Sequence, residues 1–271
     1  MLLAVVVNLR ACQAGLVEGA TGRAIHGFWL HQWKRLAPSV ADYLHRPNQV
    51  RPFTLSPLLG LPRFRKGRRE IVPDTPAWFR VATLQGELSR RLEEVWLPEL
   101  PQEIKLAGLR WQVMGYTTAT EQHRWAGRAD SQALAETHLL GRSPPSRWRL
   151  EFATPTTFHG GEGHLPFPLP DALVRSWLRR WQAFGPVHLP EDTPERVRRG
   201  LVVSAYALET VPWRDHRRVV VGCVGRMTLR ALGLGKGERA VLDLLAAYAF
   251  YAGSGHHTTQ GMGMTRGLVD W

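Results

Sequence analysis

The two halves of this chain carry the same order of predicted elements, which restricts the fold more than any other feature. Leu2–Leu9 is rich in leucine and valine and predicts a buried strand, and a helical pattern follows from Arg23, with Pro38 expected to kink or restart it. The later segments of this half predict a strand, a second strand, a helix and one or two strands, at FTLSPLLG, WFRVATLQ, ELSRRLEEVWL and IKLAGLRWQVMGYTT.

The segment Gly141–Ser146 (GRSPPS) separates the halves, because paired prolines and small polar residues continue neither a helix nor a strand. The elements predicted after it are a strand at Trp148–Phe152, a helix at Leu173–Phe184, a hairpin of Leu201–Leu208 and Val219–Leu229, and a helix near Glu238–Tyr251. This repeated order predicts an α+β protein with two tandem ferredoxin-like domains, related to RNA-recognition motifs. We expect the domains to span residues 1–143 and 147–271.

The charge of the chain comes mainly from arginine. Lysine and arginine number 35 against 23 aspartates and glutamates, a formal net charge of +12, and only four of the cations are lysines. Arginine grips phosphates bidentately and stacks on bases, so a polyanion such as nucleic acid is the expected partner. A compositional preference for arginine is the alternative, but it does not account for the excess over acidic residues.

Several classes of site and location are disfavoured. Cys12 and Cys223 are the two cysteines, and two distant thiols form neither a disulfide framework nor a metal cluster by themselves. This use of cysteine fits a reducing cytoplasm. The first ten residues do not resemble a signal peptide, and no 18 apolar residues run together, so we expect no membrane association. The segment HGGEGH, with His159, Glu162 and His164, lacks helical ligand spacing and favours a plain loop. We therefore predict no metal and no cofactor.

A loop with five glycines, GSGHHTTQGMGMTRG at Gly253–Gly267, joins the last predicted helix to the last strand. Such spacing lets the backbone approach a ligand and present N–H groups to phosphate. It is not a P-loop, and Thr258 stands where a dinucleotide fingerprint requires its third glycine. Taken alone, the loop is explained equally well as a phosphate-binding loop or as a tight connection that needs positive φ angles.

Three segments in order, RPFTLSPLLG at Arg51–Gly60, LEFATPTTFHG at Leu150–Gly160 and the glycine loop, resemble a known family. They resemble the CRISPR-associated repeat-processing endoribonucleases of the Cas6 kind, within the RAMP superfamily. In that family an F/Y-T-L/I-S-P-L strand lies in the first ferredoxin-like domain, and an F-x-T/S-P-T-x-F strand opens the second. The counterparts here are Phe53–Leu58 and Phe152–Phe158.

The resemblance implies metal-independent cleavage of CRISPR repeat RNA beside the stem of the pre-crRNA. The 2′ hydroxyl of the RNA attacks, which leaves a 2′,3′-cyclic phosphate and a 5′ hydroxyl, and histidine can serve as base and acid near neutral pH. In the family a histidine near the start of the first helix commonly does this work, and some members use a second one further along. The implied catalytic residues are His26, His45 and Lys34, with His31 and Tyr43 as weaker candidates.

RNA contacts are expected from basic residues and from the glycine loop. The predicted set is Arg51, Arg63, Arg65, Lys66, Arg68, Arg69, Arg175, Arg179, His256, His257 and Thr258. Arg175, Arg179 and Arg180 are expected on the polar face of one helix, and Arg196, Arg198 and Arg199 are further candidates. Solvated surface is the alternative for the charge runs, and capping of a turn is the alternative for the loop histidines.

Two other functions stay open. One is a non-catalytic RAMP subunit that holds crRNA inside an effector complex without cutting it. The other is an unrelated RNA-binding or RNA-modifying enzyme with tandem ferredoxin-like domains, which accounts for the charge and the fold but not for the three motifs. Formation of a homodimer, association with an effector complex, and the choice of acid and base between the histidines are also open.

Overall fold

The computed structural model describes residues 1–47, 49–64, 67–141, 143–161, 163–215 and 218–268. The chain packs into two compact units. The first contains Met1–Arg128, Arg214–Arg218 and Thr259–Gly261. The second contains Ala129–Trp213, Val219–Thr258 and Met262–Trp271. The domain ranges 1–143 and 147–271 stay a prediction. Limited proteolysis would test it by locating the cleavage sites between the domains.

The elements built mainly from the first unit alternate between short strands and helices. They are β1 (Leu2–Ala11), β2 (Gly15–Glu18), α1 (Gly22–Leu36), α2 (Pro38–His45), β3 (Phe53–Leu55), β4 (Arg68–Ile71), β5 (Pro76–Thr83), α3 (Gly86–Arg91), β6 (Glu103–Leu106), β7 (Leu109–Thr117) and β8 (Gly127–Ala129). Pro38 stands in the first turn of α2, where its missing N–H costs nothing, so the predicted restart of the helix at this proline is confirmed. The predicted second helix runs as α3 and then changes into a π-helix at Leu92–Trp96.

The main sheet of the first unit has the order β3-β5-β1-β7-β6, and β8 also pairs with β1. Strand β1 is antiparallel to both β5 and β7, and β3 is antiparallel to β5. The order β3-β5-β1-β7 around α1 and α3 is that of a ferredoxin-like domain. The central position of β1 explains its nearly continuous burial, because side chains on both of its faces are covered.

The core of the first unit is rich in tryptophan. Trp29 and Trp33 on α1, Trp96 after α3 and Trp111 on β7 are fully buried among the apolar residues of the sheet. The Trp29 and Trp33 rings meet edge to face with centroids 5.5 Å apart. Burial of each large aromatic side chain contributes about 2–3 kcal/mol, so this face of α1 is held firmly on the sheet.

The second unit repeats the pattern with longer strands. Its elements are α4 (Ser131–Leu139), β9 (Arg147–Thr156), β10 (Phe158–Gly160), β11 (Gly163–Leu165), α5 (Pro170–Phe184), α6 (Thr193–Gly200), β12 (Leu201–Asp215), β13 (Arg218–Ala231), α7 (Lys236–Ala252) and β14 (Thr265–Gly267). The sheet order β12-β13-β9-β14 is again ferredoxin-like. The prediction of two tandem ferredoxin-like domains is therefore confirmed.

Three features of the second unit did not emerge from the sequence patterns. Asp130 caps α4 by accepting hydrogen bonds from the N–H groups of Gln132 and Ala133, both at 2.9 Å. Helix α6 is short and strongly basic in its last turn. The segment expected to be a plain loop at HGGEGH is a hairpin of β10 and β11, with His159 directly opposite His164, so that expectation was wrong.

Two findings concern the thiols and the helices. Cys12 and Cys223 are both free thiols, and burial raises the pKa of Cys223 to about 11. Among the described residues, none of the helices combines the length and the apolar character needed to cross a bilayer.

Candidate active site and RNA-binding residues

The segment FTLSPLLG fixes the start of α1. The N–H of Leu58 donates to Thr21 Oγ1 at 2.8 Å, immediately before the first helical residue. Ser56 is locked onto β5, because its N–H bonds to the carbonyl of Arg80 and its Oγ accepts the N–H of Arg80 at 2.7 Å. The ring of Phe53 lies 6.1 Å from that of His26, measured between centroids. This first motif therefore positions the helix that carries His26.

His26 is the fifth residue of α1 and is half-buried. Its Nδ1 lies 2.8 Å from the carbonyl oxygen of Thr259, which belongs to the part of the glycine loop that packs with the first unit. A carbonyl oxygen only accepts hydrogen bonds, so Nδ1 carries the proton and Nε2 keeps its lone pair. The sequence provided no signal for this bond, because the two residues are 233 positions apart.

The surroundings of His26 favour its neutral form. Burial is the largest cause that lowers the pKa of His26 below 6.5, and the charges of His45, Arg51 and Arg23 lower it further. The hydrogen bond to the Thr259 carbonyl raises the pKa and offsets part of this shift. The imidazole is therefore mainly neutral at pH 7, with Nε2 able to accept a proton.

His45 and Arg51 are linked through the end of α2. His45 is the last residue of this helix and is exposed, and its charge reaches the ring of His26. Arg51 donates from Nη1 to the carbonyl of Leu44 at 2.6 Å and from Nη2 to the carbonyl of His45 at 3.4 Å. Arg51 thus holds the terminal carbonyls of α2, a structural role that the sequence did not predict.

The other candidates on α1 and α2 lie further from His26. His31 and Lys34 are both exposed, as the predicted polar side of α1 requires. Lys34 is eight residues beyond His26, about 12 Å along the helix axis at 1.5 Å per residue. Tyr43 is half-buried, and its hydroxyl donates to Gln85 Oε1 at 3.0 Å. Tyr43 therefore joins α2 to the residue that precedes α3.

The basic segment at residues 63–69 runs into β4, and most of its described side chains are exposed. Arg65 and Lys66 lie outside the described residues. Arg63 and Arg68 are exposed, and Arg69 is half-buried with its guanidinium 4.6 Å from the centroid of the Phe64 ring. Burial lowers the pKa of Arg69. Two exposed guanidinium groups and an aromatic ring that is 44% exposed thus lie close together in sequence.

The arginines of α5 differ in their surroundings. Arg175 is exposed, but its Nη2 lies 3.3 Å from Glu195 Oε1 and 3.9 Å from Asp171 Oδ2, which offsets its charge. Arg179 is exposed, and within the described ranges it forms no ion pair. Arg180 turns inward and donates to the carbonyl of Gly255 at 3.0 Å and to Thr258 Oγ1 at 2.9 Å. Burial of its guanidinium lowers the pKa of Arg180 to about 10.

Two predictions about these residues need correction. Arg180 is not a polar-face residue, because it lies beside the apolar stripe and its donors are used within the protein. Thr258 is 4% exposed, and its hydroxyl accepts from Arg180, so its side chain faces the protein interior. Among the further candidates, Arg196 pairs with Asp192 at 2.7 Å, whereas Arg198 and Arg199 are exposed.

The glycine loop is a tight connection. Gly253, Gly255, Gly261 and Gly263 all have positive φ angles, between 65° and 96°. A Cβ added at Gly255 or Gly263 would lie 2.1 Å from a backbone oxygen, closer than any real contact. The alternative prediction of a connection that needs positive φ is therefore confirmed.

The second motif holds this loop in place. Thr154 Oγ1 accepts the N–H of Met264 at 2.9 Å, the Pro155 carbonyl accepts that of Gly263, and the Thr157 carbonyl accepts that of His256. Hydrogen bonds within the protein satisfy the N–H groups of residues 253, 254, 255, 256, 262, 263 and 264. The expectation that the loop presents N–H groups to phosphate is thus wrong for these seven positions.

His256 and His257 of the loop lie beside the two histidines of the β10–β11 hairpin. The His256 ring contacts that of His159 with centroids 3.5 Å apart, and His164 and His257 have centroids 6.2 Å apart. Burial and the charges of neighbouring groups lower the pKa of His256 to about 4. Among the described residues, no three histidine, cysteine or acidic side chains are arranged to hold a metal ion. Histidine at both ends of HGGEGH was the sequence signal for this cluster.

Comparison with known proteins agrees with this architecture along almost the whole chain. The sequence model described as the CRISPR Cas6 N-terminal domain matches residues 1–136, half of the chain. The model described as CRISPR-associated endoribonuclease Cas6 matches residues 150–265. The chain belongs to the Cas6 family. The description of the second model names an endoribonuclease.

Relatives of known structure or annotation extend the comparison. The CRISPR-associated endoribonuclease Cas6 of Streptococcus thermophilus is 27% identical over 114 residues, which are 41% of this chain and 46% of that protein, so the match spans less than half of that relative. A Cas6 product complex superposes with a TM-score of 0.78 at 28% identity, covering 99% of this chain and 100% of that chain. Thermus thermophilus Cas6 superposes with a TM-score of 0.73 at 25% identity, covering 99% and 98% of the two chains. The Cas6 fold thus accounts for both units.

Proposed function

We propose that this chain cuts CRISPR repeat RNA by metal-independent transesterification, with His26 as the general base. The observation that carries this proposal is the hydrogen bond from His26 Nδ1 to the Thr259 carbonyl. It selects the tautomer in which Nε2 is the basic nitrogen, and partial burial favours the neutral ring at physiological pH. Membership of the Cas6 family supplies the substrate class.

In the proposed reaction, Nε2 of His26 takes the proton from the 2′ hydroxyl next to the scissile phosphate. The 2′ oxygen attacks phosphorus, and the bond from phosphorus to the 5′ oxygen breaks as that oxygen receives a proton. The products are a 2′,3′-cyclic phosphate and a 5′ hydroxyl. The positive charges of Arg23 and Arg51, which act on the His26 ring, favour the negative phosphorane at the same place.

We assign the proton donor to His45. Its position at the end of α2, close enough for its charge to act on His26, supports this role. The bonds from Arg51 to the last carbonyls of α2 keep His45 in position. Because Lys34 lies about 12 Å along α1 from His26, we assign Lys34 to a contact with flanking RNA rather than to the reacting phosphate.

For RNA binding we propose the exposed cations Arg63, Arg68 and Arg179, with Phe64 as a stacking surface. The charge of Arg175 is offset by two carboxylates, so we expect a smaller contribution from it. Replacing Arg63 and Arg68 with glutamine should weaken binding and lower the slope of log K against log salt by about 2, because each lost phosphate contact lowers it by roughly 0.9. A binding isotherm measured at several salt concentrations tests this expectation.

The proposed function is tested by incubating the purified chain with its repeat RNA in excess chelator and identifying both ends of any product. We expect cleavage with a 2′,3′-cyclic phosphate, and no cleavage when the nucleotide before the cut is 2′-deoxy. Loss of activity in chelator would refute the metal-independent mechanism. Tight binding without cleavage would favour the non-catalytic RAMP subunit instead. Sedimentation of the chain with and without RNA addresses self-association.

A further inference from the structure

Four histidines from two segments of the second unit meet at one place, which we call the histidine cluster: His159, His164, His256 and His257. His159 and His164 are paired across the β10–β11 hairpin, with nearly parallel rings and centroids 6.1 Å apart. His256 contacts His159 at 3.5 Å and lies 6.4 Å from His257, and His257 lies 6.2 Å from His164. The four rings thus form a closed circuit of neighbours.

The cluster is accessible but firmly supported. His159, His164 and His257 are exposed, and His256 is half-buried. The N–H of His256 is bonded to the Thr157 carbonyl at 2.9 Å, and Arg180 holds the adjoining carbonyl of Gly255. His257 has a φ of 55°, a conformation that non-glycine residues adopt rarely and that needs support from the surrounding structure. The backbone therefore presents these rings in a fixed arrangement.

Among the described residues, the groups that act on His256 carry a positive charge or can gain one. The groups that act on His256 are His159, His257, Arg180 and Arg179. Glu162 lies outside the described residues. These groups resist protonation of His256 in the free protein, where each added positive charge repels the others. An anion placed among the rings would reverse this preference, since every proton taken up would then gain a charge-assisted hydrogen bond.

We infer that the histidine cluster is a second RNA site, which binds a phosphodiester of the repeat RNA and takes up protons as it does so. A resident metal does not account for the cluster, because within the described part of the chain the ligand geometry for one is missing. This inference rests on the proposed function, which supplies the RNA. It adds His159 and His164 to the RNA-binding residues and makes RNA affinity depend on pH through histidines other than His26.

The test is binding of repeat RNA that carries a 2′-deoxy nucleotide at the cut, measured from pH 7.5 to pH 5.5 at constant salt and in chelator. For the wild-type chain we expect affinity to rise about tenfold or more over this range, since uptake of one proton changes affinity by up to tenfold per pH unit. The His159→Gln/His164→Gln double variant should lose most of this rise. Both side chains are exposed, so the variant should keep the wild-type melting temperature.

The matched control is His188→Gln, which removes an exposed histidine of the same unit that is not among the groups acting on His256 and should keep the wild-type pH dependence. An unchanged pH dependence in the double variant, with RNA binding and cleavage intact, would overturn this inference and leave the proposed function standing. Absence of RNA binding by the wild-type chain at every pH would overturn the proposed function and this site together.

Discussion

Replacing His26 with asparagine tests the roles of its two ring nitrogen atoms separately. The amide nitrogen of asparagine occupies nearly the position of Nδ1, so it can still donate to the Thr259 carbonyl. It has no counterpart of Nε2, so the proposed base is lost while the hydrogen bond is kept. His26→Ala loses both, and the unpaired carbonyl costs about 1 kcal/mol of stability.

The expected loss of rate follows from the role of Nε2. A positioned general base contributes about 10²–10⁴ in rate, which is about 3–5 kcal/mol of activation free energy. Single-turnover cleavage by His26→Asn should fall by that factor, while RNA affinity and the melting temperature stay at wild-type values. In the wild-type chain the rate should rise with pH on the acidic side of the profile, because the neutral ring of His26 is the active form. The midpoint should lie below 6.5, since burial lowers the pKa of His26.

The control is His31→Asn, the same change at an exposed position of the same helix, which should cleave at the wild-type rate. Cleavage by His26→Asn within threefold of wild type would refute the assignment of the base. A midpoint at or above 6.5 would contradict the argument from burial. A parallel loss of affinity and rate would mean that His26 binds RNA and does not transfer the proton.

Three further predictions concern the second unit. Arg180→Gln should lower the free energy of unfolding by about 2–4 kcal/mol, because it removes charge-assisted hydrogen bonds to Gly255 and Thr258. The neighbouring Arg179→Gln should change the free energy of unfolding by less than about 0.5 kcal/mol. Equal effects of the two variants in denaturant titrations would contradict the buried role of Arg180. Gly255→Ala should lower the free energy of unfolding by about 2 kcal/mol or more, since the φ of Gly255 is 74° and the new Cβ would meet the Thr157 carbonyl. Gly237→Ala, which has open space around it in α7, should raise the free energy of unfolding by about 0.5–1 kcal/mol. A melting temperature for Gly255→Ala at or above that of wild type would refute the need for glycine. The free energy of unfolding should fall as pH drops from 6.5 towards about 4, because His256 takes up a proton in the unfolded chain and resists it in the folded one. The fall should be smaller in His256→Gln. Identical curves of unfolding free energy against pH for the variant and wild type would contradict this role of His256.

Much of the fold was predictable from local patterns. The strand at the N-terminus and the tryptophan stripe of α1 follow from burial periodicity, which acts over a few residues. The repeated order of elements then left few sheet arrangements, and both sheets adopt the ferredoxin-like one. The arginine excess and the three motifs are properties of the sequence alone, and they indicate an RNA partner and the family.

The sequence did not determine how the motif residues are used. Thr154, Pro155 and Thr157 serve the glycine loop, and Ser56 and Leu58 serve β5 and the start of α1. Arg179 and Arg180 are adjacent and chemically identical, yet one faces solvent and the other is buried against the loop. Helical periodicity places Arg180 at the border of the apolar stripe, where packing against a distant segment decides its side.

What the sequence alone determined was the class of fold, the excess of positive charge that favours a polyanionic partner, and His26 as a candidate base. Only the tertiary structure decided which nitrogen of His26 is basic, because that depends on the carbonyl of a residue 233 positions away. It also decided that four histidines meet in the second unit, since the hairpin and the glycine loop come together only when β9 is paired. Residue types are local properties, but protonation and grouping depend on neighbours that the folded chain supplies.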